Sequence, residues 1–192
     1  MITEETLPKR ALVLLAPGAE EMEVVIVVDV LRRGGIEVVL AGVDGAGPVR
    51  CSRAVTLVPD MALADCAQDG EPWDLLVLPG GMPGTEVLAN SDSVGEMLRR
   101  QCADGRLVGA ICAAPLALVR HGVFAGEPMT SHPSVSQEVA QHAVWTAARM
   151  VEADGLITSM GPGTAFGFAL ALVAKLRGGQ VAESLRAPMI LE

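Results

Sequence analysis

The sequence predicts an α/β sandwich built around a mostly parallel sheet. Three observations carry the prediction. Short apolar runs of strand length, at residues 11–16, 36–43, 74–78 and 107–111, alternate with helical patterns. These runs are apolar nearly throughout, as strands buried on both faces must be. Hydrophobic residues make up 51% of the chain, yet aromatics only 3% with no tyrosine, so the core is expected to consist of Val, Leu, Ala, Ile and Met. The 192 residues suit one domain, and there is no internal repeat, low-complexity tract or linker.

Residues 1–8 are short, polar and acidic and are expected to fray. The run 11–16 is the first strand, broken by Pro17-Gly18-Ala19. Residues 20–33 follow, with glutamates at the start, Arg32 and Arg33 at the end and Gly34-Gly35 after them. The β-branched run 24–28 argues for a strand, but these caps argue for a buried helix, and the caps decide. Residues 36–43 form the second strand. Residues 49–58 read as a hairpin, and Pro59-Asp60 as the opening of a short helix through Cys66. Residues 74–78 form the third strand and end at Pro79-Gly80-Gly81. Residues 91–103 are an amphipathic helix with Ser91 as N-cap and Gly105 beyond its end. Residues 107–111 form the fourth strand, and 114–121 the helix after it. A short strand at 129–131 leads to His132-Pro133, with a helix at 135–141. Residues 149–152 and 156–159 pair across Ala153-Asp154-Gly155. Gly161-Pro162-Gly163-Thr164 opens an apolar helix over 165–176, another follows at 181–185, and the apolar tail 188–191 is expected to pack against something.

Composition excludes several functions. With a formal charge of −9 and no basic cluster, stable nucleic-acid binding is not expected. No run suits a membrane span, and the first residues do not read as a secretory signal. The four cysteines, Cys51, Cys66, Cys102 and Cys112, match no metal or redox spacing, so no metal is expected and the thiols are read as reduced in a cytoplasmic protein.

The candidate chemistry centres on Cys112. It follows a buried strand and precedes Pro115, which suits a first helical turn, so it sits on a sharp strand-to-helix turn. Such a turn lies where open α/β sheets place ligands, and the helix start favours a thiolate. Taken alone, Cys112 reads as a buried core thiol or as a nucleophile. Three loops, at 17–23, 79–84 and 112–115, are expected to cluster at one sheet edge. Glu23, one turn into its helix, is placed to face inward, whereas Glu20 and Glu21 read as solvent-facing acids that complement the helix dipole. Gly80 and Gly81 read as a tight turn or as an anion-binding backbone. His132 reads as a turn histidine or as a base. His121 and His142 read as surface residues, Cys66 and Cys102 as ordinary thiols, and Cys51 as an exposed thiol.

Taken together these motifs are specific. Gly18-Ala19-Glu20-Glu21-Met22-Glu23, Cys51-Ser52-Arg53, Val77-Leu78-Pro79-Gly80-Gly81, Ala110-Ile111-Cys112-Ala113-Ala114-Pro115, His132-Pro133 and Gly161-Pro162-Gly163-Thr164 occur in this order, almost end to end. The chain resembles the Parkinson disease protein 7 (protein deglycase) family of the ThiJ/PfpI superfamily. The resemblance implies a flavodoxin-like three-layer sandwich that forms a homodimer and needs no cofactor. It implies that Cys112 is a nucleophilic, oxidation-prone cysteine, with Glu23 the acid beside it and His132 the nearby histidine. It implies that the Gly81 and Ala113 N–H groups form an oxyanion site, that Gly80 belongs to that loop, and that Arg53 reaches the site across the dimer interface, with Cys51 near that interface. It also implies nuclear or mitochondrial locations beside the cytoplasm. The chain departs from the family at Val58-Pro59, where some members carry a second cysteine, at Met160, where many carry arginine, and around residues 134–137, where a lysine is missing.

The activity so implied is a cysteine-dependent glyoxalase or deglycase. It acts on methylglyoxal-type 2-oxoaldehydes, or their early adducts with protein and nucleotide groups, and protects against carbonyl and oxidative stress. A carboxylate beside a thiolate is unfavourable, so the expected arrangement is a protonated Glu23 donating to a Cys112 thiolate. The alternative is a redox sensor or chaperone signalled by oxidation of Cys112 to the sulfinate. A Cys–His protease is less well supported, because nothing in the sequence aligns His132 as its base.

Overall fold

The computed structural model describes residues 8–66 and 72–191. The N-terminal stretch expected to fray lies, up to residue 7, outside them. The chain runs β1 (Arg10–Leu15), α1 (Glu21–Arg33), β2 (Glu37–Gly42), β3 (Val49–Arg50), β4 (Thr56–Leu57), β5 (Met61–Ala62), α2 (Leu63–Cys66), β6 (Leu75–Leu78), α3 (Met82–Asn90) and α4 (Asp92–Ala103). It continues with β7 (Leu107–Ile111), α5 (Pro115–Arg120), β8 (Pro128–Met129), α6 (Ser136–Val139), β9 (Val144–Trp145), β10 (Met150–Ala153), β11 (Leu156–Ser159), α7 (Ala165–Arg177) and α8 (Gly179–Ser184). Seven strands form the central sheet in the order β10-β11-β7-β6-β1-β2-β5. Its neighbours are parallel except the β10–β11 pair.

The period-two geometry of a strand divides the core into two layers. Ala11, Val13 and Leu15 join Val24, Val27, Leu31, Phe168 and Leu172 on the α1–α7 face. Leu12 and Leu14 join Leu88, Val94, Leu98, Leu116 and Leu118 on the face of α3, α4 and α5. The expected mostly parallel α/β sandwich is therefore what the chain forms. The β-branched stretch of α1 is helical as the caps foretold: Glu20 accepts from the Met22 N–H, and the Gly34 N–H closes the other end on Arg32 and Val30.

The structure departs from the sequence reading in three elements. Helix α3 begins inside the stretch 79–84 that the sequence reads as a loop. Pro83 lies in the first turn, where a missing N–H removes no helical bond. The helix expected from Pro59 begins only at Leu63, because Met61–Ala62 extends the sheet as an edge strand on β2. Strand β9 pairs in parallel with β8 and has no pattern long enough to read. At the tail, Met189 and Leu191 pack against the α1–α7 layer while Ile190 stands exposed.

Candidate active site

Three connections leave the carboxyl ends of β1, β6 and β7 and interlock through their backbones. The Glu20 N–H donates to the Gly80 carbonyl at 2.9 Å, and a fourth loop joins as Gly18 N–H reaches Arg50 O and Ser52 N–H reaches Ala19 O. The packing leaves no room for side chains. A Cβ on Gly81 would lie 2.4 Å from Gly18 O, and one on Gly84 2.8 Å from the Ala19 Cα. Gly81 also has φ +86°, which L side chains rarely adopt. The Gly80-Gly81 pair is thus required by close approach as well as by the turn.

Cys112 lies on the turn between β7 and α5 and has φ +64°. A non-glycine residue there is strained and persists only where its surroundings fix it. Here its N–H donates to Ser159 O at 2.9 Å and its carbonyl accepts from the His132 N–H at 2.7 Å. The Gly81 and Ala113 N–H groups face its sulfur.

Glu23 projects from the first turn of α1 into the interior and is fully buried. Its Oε2 accepts from the Gly80 N–H at 2.7 Å. Its Oε1 is buried without a hydrogen-bond partner among backbone or conventional polar groups, and the carboxyl also meets the side chain of Cys112. Burial pushes the Glu23 carboxyl up to about 7, against the pull of Gly80 and Cys112, and the Glu20 charge adds to the rise. Burial, and then the Glu23 charge, push the Cys112 thiol up to about 12, although the Gly81 and Ala113 N–H groups pull it down. Burial and the mutual repulsion of the two charges thus disfavour ionising both partners at once.

The sulfur side of this pair opens onto a cavity of about 300 Å³ lined by Glu20, Ser52, Arg53, Met82, Cys112 and His132, together with Gly81, Pro83, Ala113, Ser134 and Pro162. Arg53 lines the cavity of its own chain. Glu20 and Glu21 are not solvent-facing: both are buried, and both carboxylates lie 3.0 Å from the Ser52 hydroxyl, while Glu21 also accepts the Arg53 N–H. They pin the Arg53 loop to α1. Cys51 is buried, not exposed, and burial raises its thiol. His121 is half-buried with Nε2 2.8 Å from Leu88 O, whereas His142 is exposed as expected. Among the described residues no group of three or more His, Cys, Asp or Glu could hold a metal ion, and no helix is long and apolar enough to cross a membrane.

The sequence pattern of the DJ-1/PfpI family matches residues 9–175. The chain belongs to the DJ-1/PfpI family. The Parkinson disease protein 7 homolog of Danio rerio is 47% identical over 186 residues, covering 96% of this chain and 98% of that protein. The glutathione-independent glyoxalase DJR-1.2 of Caenorhabditis elegans is 42% identical over 185 residues, 95% of this chain and 97% of its own length. The crystal structure of Drosophila melanogaster DJ-1beta superposes with a TM-score of 0.94 at 43% identity, covering 97% of this chain and all of that one.

The sequence did not single out two polar groups of this DJ-1/PfpI site. Ser52 is the hydroxyl between the two buried glutamates. Ser134 bonds the His132 ring, with its Oγ 2.8 Å from Nδ1. Ser134 directly follows His132-Pro133, and its signal is the turn that His132 caps by accepting the Ser134 N–H.

Proposed function

We propose that this DJ-1/PfpI protein is a cofactor-independent glyoxalase or deglycase, with Cys112 as nucleophile and methylglyoxal-type 2-oxoaldehydes or their early adducts as substrates. The observation that carries the reading is the pairing of a strained, cavity-facing thiol with a buried carboxyl held at about 7, where a general base works best near neutral pH. Glu23 Oε1 takes the thiol proton as sulfur attacks the aldehyde carbon. The Gly81 and Ala113 N–H groups hold the developing alkoxide, which takes the proton back to give a hemithioacetal. Glu23 and His132 then carry the aldehyde-carbon proton to the neighbouring carbon, giving a lactoyl thioester. Water cleaves the thioester to lactate and the free thiol. One water is consumed and no external oxidant or reductant is needed.

The likeness to a glutathione-independent glyoxalase at 42% identity supports this reading. A homodimer belongs to the same proposal. Met22 and Val25 on α1 and Val55 and Val58 around β4 are exposed apolar side chains beside the cavity loop, and sedimentation at one chain mass would remove it. A second reading, the redox sensor, is favoured by the half-buried sulfur that faces a cavity and two N–H donors. Two equivalents of peroxide would take the thiol to the sulfinate with release of two waters.

The test is lactate formation from methylglyoxal by the native chain and by Cys112→Ser. Turnover by the native chain that falls at least about a thousandfold in the variant is the expected result. A reduced native chain that makes no lactate but gains two oxygens at Cys112 under mild peroxide would favour the sensor. Turnover that survives the substitution would move the site elsewhere.

A further inference from the structure

We infer that Ser134 is the positioning residue of this site: it holds Nδ1 of His132, so that the imidazole meets the cavity with Nε2. The kinetic part rests on the glyoxalase reading; the geometry does not.

The backbone of His132 is already fixed. Its N–H donates to the Cys112 carbonyl at 2.7 Å. Its own carbonyl accepts from Ser131 Oγ at 3.2 Å, and that hydroxyl accepts from Trp145 Nε1 at 3.0 Å. The ring orientation is what these bonds leave unset. His132 precedes a single 3₁₀ turn, Pro133–Val135. Pro133 has no N–H, so Ser134 supplies the first backbone donor of the turn, and that N–H lies 3.2 Å from His132 Nδ1. Ser134 Oγ lies 2.8 Å from the same nitrogen.

A backbone N–H can only donate. Nδ1 must therefore accept, which makes the serine hydroxyl a second donor and leaves the neutral ring's proton on Nε2. Nε2 has no hydrogen bond to another described residue. His132, Ser134 and Cys112 all line the cavity. An Nε2–H aimed there is a ready donor to the ketone oxygen of a 2-oxoaldehyde bound on sulfur, where negative charge grows as the neighbouring carbon gives up its proton. The opposite tautomer would present a bare acceptor to that oxygen and repel it.

Ser134 is exposed, so its replacement does not threaten folding. The experiment uses the full chain and two readouts. Long-range 1H–15N correlation spectra identify the ring tautomer, and the chain has only three histidines, so a His132→Gln spectrum assigns the signal. Methylglyoxal turnover gives kcat and KM. The native ring is expected as the Nε2–H form. Ser134→Ala keeps only the longer backbone bond, so its spectrum is expected to show mixed tautomers. Its kcat should fall about 3- to 10-fold, the value of one neutral hydrogen bond, with KM unchanged. Ser134→Thr, which keeps the hydroxyl, is expected to restore both. A native ring protonated on Nδ1 overturns the inference. So does a Ser134→Ala protein with the native tautomer, or one with native kcat despite a changed tautomer. If the native chain makes no lactate, the spectra still decide. Loss of the pure Nε2–H form in Ser134→Ala then upholds the positioning role and overturns the enzymatic reading alone.

Discussion

At their carboxyl ends β1, β6 and β7 run into backbone packed on backbone, while at their amino ends neighbouring segments are tied by side chains. The carboxyl end holds three residues at positive φ, Gly18, Gly81 and Cys112, and a buried carboxyl oxygen without a conventional hydrogen-bond partner. The amino end is tied by side-chain contacts. Lys9 Nζ lies 2.8 Å from Asp74 Oδ1, and the Arg10 N–H donates to Oδ2 of the same carboxylate. The Arg10 guanidinium sits 4.2 Å over the Trp73 ring, and Gln101 Nε2 bridges the carbonyls of Trp73 and Leu107. One sheet thus separates two tasks. Its amino end contributes stability, and its carboxyl end spends some of it to hold a thiol and a carboxyl in contact.

The sharpest way to break this contrast is Gly80→Ala. An added Cβ would lie 2.5 Å from the Cys112 Cβ, 2.8 Å from Glu23 Oε2 and 2.9 Å from Ile111 O. The Cys112 Cβ and the Ile111 carbonyl cannot swing aside as the end of a long side chain can, so the backbone must move. We expect lactate formation to be lost and stability to fall by about 3 kcal/mol, the upper end for overpacking, as read from the urea midpoint. A variant with native activity would mean that the close packing of these loops is not needed to align the site.

Glu23 gives the next effect and is read through pH. A carboxyl held at about 7 in the folded chain against an ordinary 4.5 binds its proton more tightly when folded. Its contribution is fully present below pH 4.5 and is lost as pH rises to about 7, a change of about 3 kcal/mol. Glu23→Gln should therefore gain stability over the native chain as pH rises through this window, measured as the difference between the two urea curves. In the native chain kcat/KM for methylglyoxal should climb through pH about 7, as Glu23 becomes the base. A flat difference curve would mean that the carboxyl is solvated in the folded state.

The same contrast explains what the sequence made legible. The buried strands, the caps of α1 and the strand–Cys112–helix turn are local patterns, and each is found where the residues put it. Helix α3 was hidden because the residues that admit its first turn, Pro83 and Gly84, are also those that end helices. Glu20 and Glu21 were misread for a different reason. A first-turn glutamate looks the same whether it faces solvent or a loop 31 or 32 residues away, and only the fold brings Ser52 to them. The raised Glu23 carboxyl is likewise beyond local reasoning. It depends on burial, which the strand pattern implies for the sheet but not for a single carboxyl oxygen.

The smallest effect belongs to the amino end and should have the opposite sign with pH. Burial works to raise the Asp74 carboxyl, but the Lys9 and Arg10 hydrogen bonds and the Lys9 charge hold it below its ordinary 3.8. Its contribution is present above pH 3.8 and is lost as pH falls below that value. The side chains of the pair are 44% and 32% exposed, so solvent screens it and the contribution is at most about 1 kcal/mol. Asp74→Asn removes the charge but keeps an oxygen for the Arg10 N–H. It should be less stable than the native chain at neutral pH and equal to it in acid, with unchanged methylglyoxal turnover. The two difference curves, Asp74→Asn and Glu23→Gln, should therefore move in opposite directions as pH rises from 3 to 8. If Asp74→Asn also lowered turnover, the two ends would be coupled through the strands, and the division of stability from chemistry along this sheet would fail.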